Sequence, residues 1–215
     1  MDYICRLGDA GRRNAEIVET RLSGGEPTIA CSVYLALMKG DRLDYAVQKS
    51  VELGAYEIIL FPSERCISLP GDMSKKTARL QRIALETAKQ CGRGRVPEVT
   101  AVDSFEAAVM KAARSDLPLF FYECEENLHL KQALCDTECR NVECSMQNAV
   151  SEFSTFNFQF SISLMTGPEG GFEPHEAELA QTAGMLTVSL GSRILRCETA
   201  PVAALAAIMF QTENF

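Results

Sequence analysis

Met165-Thr166-Gly167-Pro168-Glu169-Gly170-Gly171-Phe172 and Leu190-Gly191-Ser192-Arg193-Ile194-Leu195-Arg196, the second followed at once by Cys197-Glu198-Thr199-Ala200, decide how this chain folds. Each is a Gly-centred loop with an apolar run before it and a helix-like run after it. Gln159 to Met165 and Met185 to Leu190 read as strands, and Glu173 to Ala183 and Glu198 to Gln211 as helices. Pro174 suits the first turn of its helix, and Gly184 its end. A strand, loop and helix repeated in this way predict a largely parallel sheet covered on both faces. Ligands of such sheets lie beyond the carboxyl ends of the strands, where both loops sit. Glycine lets backbone approach a flat ring such as adenine closely. Taken singly, Gly-Pro and Gly-Gly also mark plain turns. The first loop has neither the G-K-[ST] of a P-loop nor the G-x-G-x-x-G of a dinucleotide fold.

Upstream the same alternation continues. Asp41 to Leu53 reads as a helix with Leu43, Ala46, Val47, Ser50 and Val51 inward and Gly54 as its stop. Tyr56 to Phe61 is a strand, and Ser74 caps a helix running to Cys91 with Gly92 beyond it. Val96 to Val99 is a short strand, Asp103 caps the helix Ser104 to Arg114, and Leu117 to Tyr122 is a further strand. Residues 1–35 read differently. Tyr3-Ile4-Cys5, Ala15 to Glu19 and Thr28 to Tyr34 alternate as three short strands, with turns at Gly11 and Gly24-Gly25. They predict a small antiparallel unit that leans on the rest of the chain. Residues 123–157, acidic and Cys-rich, read as a helical fragment in a long surface insertion.

Composition narrows the class. Apolar residues make up 47 % and charged residues 23 %, an ordinary globular balance with material for a sizeable core. No run approaches the roughly 18 apolar residues of a membrane span, and the start lacks a signal-peptide layout, which predicts a cytoplasmic protein. Nine cysteines, an odd number without C-x-x-C pairs, read as reduced thiols. Cys124, Cys135, Cys139 and Cys144 are expected to be ordinary loop thiols; a thiol- or metal-responsive protein is the distant alternative. The net charge of −8 opposes nonspecific nucleic-acid binding. Lys75, Lys76, Arg79, Arg82, Lys89, Arg93 and Arg95, against the single acid Glu86, nevertheless form a basic stretch that is either a solvated helix face or a phosphate-binding one.

In the second loop, Arg193 and Arg196 stand three apart, and Glu198 follows. Arg196 with Glu198 is either a salt bridge or an arginine and an acid at the edge of a site, and Thr199 caps the last helix. His129 and His175 are the chain's histidines, and His175, near the first loop, reads as solvated.

The two loops together resemble the RsmE-type family, the ribosomal RNA small-subunit uridine-N3 methyltransferases of the SPOUT superfamily. The resemblance extends to Met38-Lys39-Gly40-Asp41-Arg42, Gln48 to Gly54, Pro62-Ser63-Glu64-Arg65 and Ala84 to Arg93, and covers about residues 36–122 and 159–211. It implies an α/β domain with a C-terminal deep trefoil knot over 36–215, preceded by a PUA-like β-barrel of which residues 1–35 would be a truncated part. It implies S-adenosylmethionine bound at Met165, Thr166, Gly167, Pro168, Glu169, Gly170, Gly171, Leu190, Gly191, Ser192, Leu195 and Arg196. Arg196 and Glu198 become the catalytic candidates, with no metal. Lys39, Arg42, Lys49, Arg65, Arg93 and Arg95 become the candidate contacts to 16S rRNA or the small ribosomal subunit. A homodimer formed through the knot is implied too. The competing expectation is a non-catalytic knotted protein that binds an adenosine ligand or RNA.

Overall fold

The computed structural model describes residues 2–7, 15–21, 24–67, 72–135 and 160–215. Gly11, most of the expected insertion, Cys139, Cys144 and the expected strand start at Gln159 lie outside them.

Six strands form one parallel sheet: β3 (Ala30–Ala36), β4 (Glu57–Phe61), β5 (Glu98–Ala101), β6 (Leu117–Phe121), β7 (Ser161–Thr166) and β8 (Leu186–Val188). Their order across the sheet is β5-β4-β3-β7-β6-β8. A separate antiparallel pair, β1 (Asp2–Leu7) and β2 (Ala15–Arg21), precedes them. The expected third strand of that small unit belongs elsewhere. β3 is a central strand of the parallel sheet, flanked by β4 and β7. Its residues are buried on both faces, so Ala30 to Ala36 is better read as the near-continuous apolar run of a covered parallel strand than as an alternating one.

The sheet is covered by the helices α1 (Arg42–Glu52), α2 (Met73–Cys91), α3 (Phe105–Ala112), α4 (Pro174–Thr182) and α5 (Thr199–Gln211). The two-residue period of the strands divides the core. Cys31, Val33 and Leu35 of β3 join Ile58 and Leu60 of β4 on the face of α1, α2 and α5. Tyr34, Ala36, Ile59 and Phe61 point the other way, against α3 and α4. α1 buries Leu43, Ala46, Val47, Ser50 and Val51, the stripe its periodicity predicts.

Three helix caps differ from expectation. Thr199 is the first residue of α5, with Glu198 at the N-cap position and no side-chain cap bond. Asp72, not Ser74, caps α2 and accepts the Lys75 N–H at 3.1 Å. Ser104, not Asp103, caps α3 through the Ala107 N–H at 3.1 Å. In the latter two cases the residue three before the bonded N–H has the correct reach. Gly92 ends α2 in the left-handed conformation, φ 74°. The described start of the acidic segment packs against the domain. Residues 130–135 are helical, and Leu130, Ala133 and Leu134 are buried in the main core.

Candidate active site

The carboxyl ends of three neighbouring strands, β7, β6 and β8, open into a single cleft of ≈ 980 Å³. The first Gly loop leaves β7. Thr166 is buried, and its hydroxyl donates to Tyr34 O at 3.5 Å. Glu169 Oε1 accepts the Lys39 N–H at 2.8 Å and Arg42 Nη1 at 3.0 Å. Arg65 donates to Gly170 O at 3.0 Å and to Glu173 at 2.6 Å, bracing the loop from outside. Gly171 closes a turn onto Pro168 O with φ 70°. Phe172 then anchors the loop in the core, its ring centroid 4.3 Å from that of Phe120 and 5.8 Å from that of Phe105.

The second loop leaves β8. The Gly191 N–H donates to Ser189 Oγ at 3.1 Å, and Gly191 has φ 107°. Arg196 O accepts the N–H groups of Thr199 and Ala200, which starts α5. The side chains of Arg193 and Arg196 make no ion pair among the described residues. Glu198 does not pair with Arg196. Its Oε2 accepts the Cys197 thiol at 3.2 Å and lies 3.9 Å from Arg42 Nε.

The electrostatics of the two loop acids are alike. Burial alone would raise both carboxyls. For Glu169, the Lys39 N–H, its own N–H and Arg42 outweigh burial and hold it below the usual carboxylate range. For Glu198, its own N–H, the Cys197 thiol, Arg42 and Arg196 do the same. Burial and the hydrogen bond to Glu198 push the Cys197 thiol up to about 12.

Of the expected ligand-binding positions, Thr166 to Gly171, Leu190, Gly191, Ser192, Leu195 and Arg196 all line the cleft, and so does Glu198. Met165 does not: its side chain is buried in the core beneath α3 and α4. The expected RNA contacts scatter. Arg42 lines the cleft, and Lys39 and Arg65 hold its first loop. Lys49 sits on α1, paired with Glu52 at 2.8 Å. Arg95 lies over the Tyr56 ring, 3.6 Å from its centroid. Arg93 is turned inward. Its side chain is only 4 % exposed, paired with Glu26 at 2.8 Å and donating to Val51 O and Ala55 O.

The third wall of the cleft was missed by sequence reasoning. Tyr122, Glu123, Glu125 and His129 line it, from a segment that follows β6. Glu125 accepts from Thr187 Oγ1 at 2.7 Å and from the Asn127 N–H at 2.8 Å, so it shapes the segment, and those bonds hold its carboxyl below the usual range. Ser189 bonds to Leu128 O and to the Leu130 N–H, which ties the segment to β8. The rule that ligands sit beyond strand ends, applied to Leu117–Phe121, would have found it. His175 lies apart, exposed, 3.1 Å from Glu64.

Comparison with known proteins agrees with this architecture. A family model described as an RNA methyltransferase domain matches residues 25–209. The chain is 32 % identical to the ribosomal RNA small subunit methyltransferase E of Bacillus subtilis, over 97 % of this chain and 77 % of the relative. It is 29 % identical to the same-named protein of Mesomycoplasma hyopneumoniae, over 93 % of this chain and 78 % of the relative. A crystal structure of a ribosomal RNA small subunit methyltransferase E from Neisseria gonorrhoeae, bound to S-adenosyl methionine, superposes with a TM-score of 0.66 at 31 % identity, covering 91 % of this chain and 72 % of that one. With a domain match over residues 25–209 and 32 % identity over 77 % of the Bacillus subtilis relative, the chain belongs to the RNA methyltransferase domain family, in its ribosomal RNA small subunit methyltransferase E group.

Proposed function

We propose that this protein transfers the methyl group of S-adenosylmethionine to N3 of a uridine in small-subunit (16S) ribosomal RNA. The observation that carries the reading is the convergence of two Gly loops on one cleft, with Arg196 among its lining residues. The cleft fits the cofactor. Five of its lining residues are the Gly167 to Gly171 loop, and the Gly171 backbone lies directly against the Glu123 carboxylate, where a Cβ would collide. Glycine-lined N–H and C=O groups suit an adenine edge, and the carboxylates of Glu123, Glu169 and Glu198 suit a cation. When bound, the cofactor supplies an electrophilic methyl on a sulfonium.

The chain's own residues must manage charge and a proton. Uridine N3 carries a weakly acidic proton that departs as the nitrogen attacks, and negative charge grows on the flanking carbonyls. Arg196, exposed and without an ion-pair partner among the described residues, stabilises that charge. Glu198 is held below the usual carboxylate range, so it is a weak proton acceptor. Its negative charge is used to hold Arg42, and its basicity is secondary.

The same reading makes the chain's last segment a deep trefoil knot, with α5 as the closing helix. Leu205, Ile208 and Met209 of α5 are buried in the core, which supports this. Ile194, 86 % exposed on the second loop, and Phe210, 77 % exposed on α5, support a homodimer formed through that end. The β1–β2 pair, with Tyr3, Leu7 and Ile17 exposed, is read as part of a PUA-like RNA-holding unit. Lys39, Lys49, Arg65 and Arg95 remain the proposed RNA contacts, and the cytoplasm the proposed compartment. No helix among the described residues is long and apolar enough to cross a membrane.

Incubation with labelled S-adenosylmethionine and small ribosomal subunits lacking the modification tests the proposal. Label recovered as N3-methyluridine is expected. Cofactor binding without transfer would favour a non-catalytic binding protein instead.

A further inference from the structure

Arg42 stands at the start of α1, on neither Gly loop, yet it holds an acid from each side of the cleft. Nη1 donates to Glu169 of the first loop at 3.0 Å, and Nε lies 3.9 Å from Glu198, just past the second. The Lys39 N–H donates to the same Glu169 oxygen at 2.8 Å, so residues 39–42 clasp the first loop as a unit. The two acids are well shielded, with side chains 12 % and 16 % exposed, while Arg42 is 46 % exposed. Glu169 Oε2 is buried without a hydrogen-bond partner among the described residues, so its anchoring there falls on Oε1. Two carboxylates sharing one guanidinium repel each other once the cation is removed.

We infer that Arg42 is a positioning residue for methyl transfer, a strut that ties the loop after β7 to the loop after β8 and so sets the width of the cleft and the place of Arg196. The inference rests on the methyltransferase reading. It differs from a phosphate contact, the role that a surface arginine in this segment first suggests. Arg42 Nη1 is committed to Glu169 and Nε lies beside Glu198, so the guanidinium is oriented along the cleft by the two acids. The planar fork explains the choice of residue, since one guanidinium can present different N–H groups to two carboxylates.

The groups facing Glu169 are Arg42 and, at longer range, the thiols of Cys66 and Cys197. Those facing Glu198 are Arg42, Arg196 and Cys197. Loss of Arg42 therefore removes the cation common to both acids and raises both carboxyls.

The test compares the wild-type chain with Arg42→Ala and Arg42→Lys. Calorimetric titration with S-adenosylmethionine is run across a pH series, alongside methyl transfer kinetics and the salt dependence of RNA binding. In Arg42→Ala, cofactor affinity is expected to fall about tenfold, the scale of one lost charged contact. The low-pH limb of binding is expected to move upward, with kcat reduced and the RNA salt slope unchanged. Arg42→Lys, which keeps the charge, should return the limb and part of the affinity. Wild-type cofactor affinity and an unmoved limb in Arg42→Ala, with an RNA salt slope lower by about one, would make Arg42 a phosphate contact and overturn the inference. Absence of cofactor binding in the wild type itself would overturn the underlying methyltransferase reading.

Discussion

Gly171 lies against the carboxylate of Glu123 so closely that a Cβ on it would stand 1.7 Å from Oε1 and 2.6 Å from Cδ. The contact joins the loop after β7 to the wall after β6, two segments that sequence alone does not connect. Its backbone, at φ 70°, is also of the kind that L side chains avoid. Gly171→Ala must push Glu123 aside and accept roughly 1–2 kcal/mol of left-handed strain. Cofactor affinity measured by calorimetry is expected to fall by more than about tenfold. Adding Glu123→Ala should recover part of that loss by removing the clash and leaving the strain. An affinity equal to wild type in Gly171→Ala would place the cofactor elsewhere.

Arg93 and Glu26 form an ion pair whose side chains are 4 % and 6 % exposed. Removing one partner leaves the other charged and buried, and here it also strips a donor from Val51 O and Ala55 O. Arg93→Ala should therefore lower unfolding free energy by about 3–5 kcal/mol, read from the denaturant midpoint. If Arg93→Ala is as stable as wild type but binds RNA with a shallower salt dependence, the buried assignment is wrong and the phosphate assignment is right.

The contrast between these two residues shows what sequence could and could not supply. Local signals carried well. The Gly loops, the apolar stripe of α1, Pro174 at the first turn of α4 and the Gly92 cap all lie within a few residues of the chemistry that defines them. Long-range pairings did not carry. Arg93 sits in a basic run, but its partner is 67 residues away, and a count of neighbouring charges reads it as surface. The Tyr122 to His129 wall was hidden for a different reason. Its acidic composition matches that of the segment beyond it, which masks the buried Leu130 and Leu134. Arg42 was found as a residue but not as a strut, because its two acids come from separate loops.

The thiols are predicted to differ sharply in reactivity. Burial pushes Cys31 up to about 12, and burial with the hydrogen bond to Glu198 does the same for Cys197. Cys5, Cys91 and Cys124 are exposed. At pH 8, iodoacetamide should label Cys5, Cys91 and Cys124 before Cys31 and Cys197, which should stay unmodified in the native protein, as judged by peptide mass spectrometry. Early labelling of Cys197 would mean that its thiolate is accessible and that the hydrogen bond to Glu198 does not hold it protonated.

Arg196 makes no ion pair among the described residues, so its removal should separate catalysis from folding. Arg196→Ala is expected to lose at least about a hundredfold in kcat, the usual scale of one lost electrostatic stabiliser. Its thermal midpoint should stay near that of wild type. The pH dependence should follow the loop acids. Glu169 and Glu198 are held below their ordinary value of 4.5, so both stay ionised as the pH falls towards it. Their contribution to stability is present above that value and is lost as the pH drops through their lowered folded values. Cofactor binding should accordingly be flat from pH 8 to about 5 and decline only on further acidification. A decline already complete above about pH 6 would show that these two acids do not control binding.

Glu176 is a buried carboxylate that joins two parts of the site's outer frame. Oε2 accepts Ser63 Oγ at 3.2 Å and the Glu173 N–H at 2.9 Å, and Oε1 accepts the Glu64 N–H at 3.1 Å. One side chain thus caps α4 and pins the loop after β4, the loop that delivers Arg65 to Gly170. Glu176→Gln has the same shape but only one acceptor oxygen, and its NH₂ must face a donor. With the amide oxygen towards Glu173 and Ser63, the Glu64 N–H loses its partner and meets another N–H. The expected cost is about 1–3 kcal/mol in unfolding free energy, the range for an unsatisfied buried group. Because the strain falls on the turn that carries Arg65, cofactor affinity should drop as well, by less than in Gly171→Ala. Glu176→Gln with full stability but weakened cofactor binding would show that the carboxylate acts on the site directly, whereas full stability with full affinity would show that the frame does not depend on it.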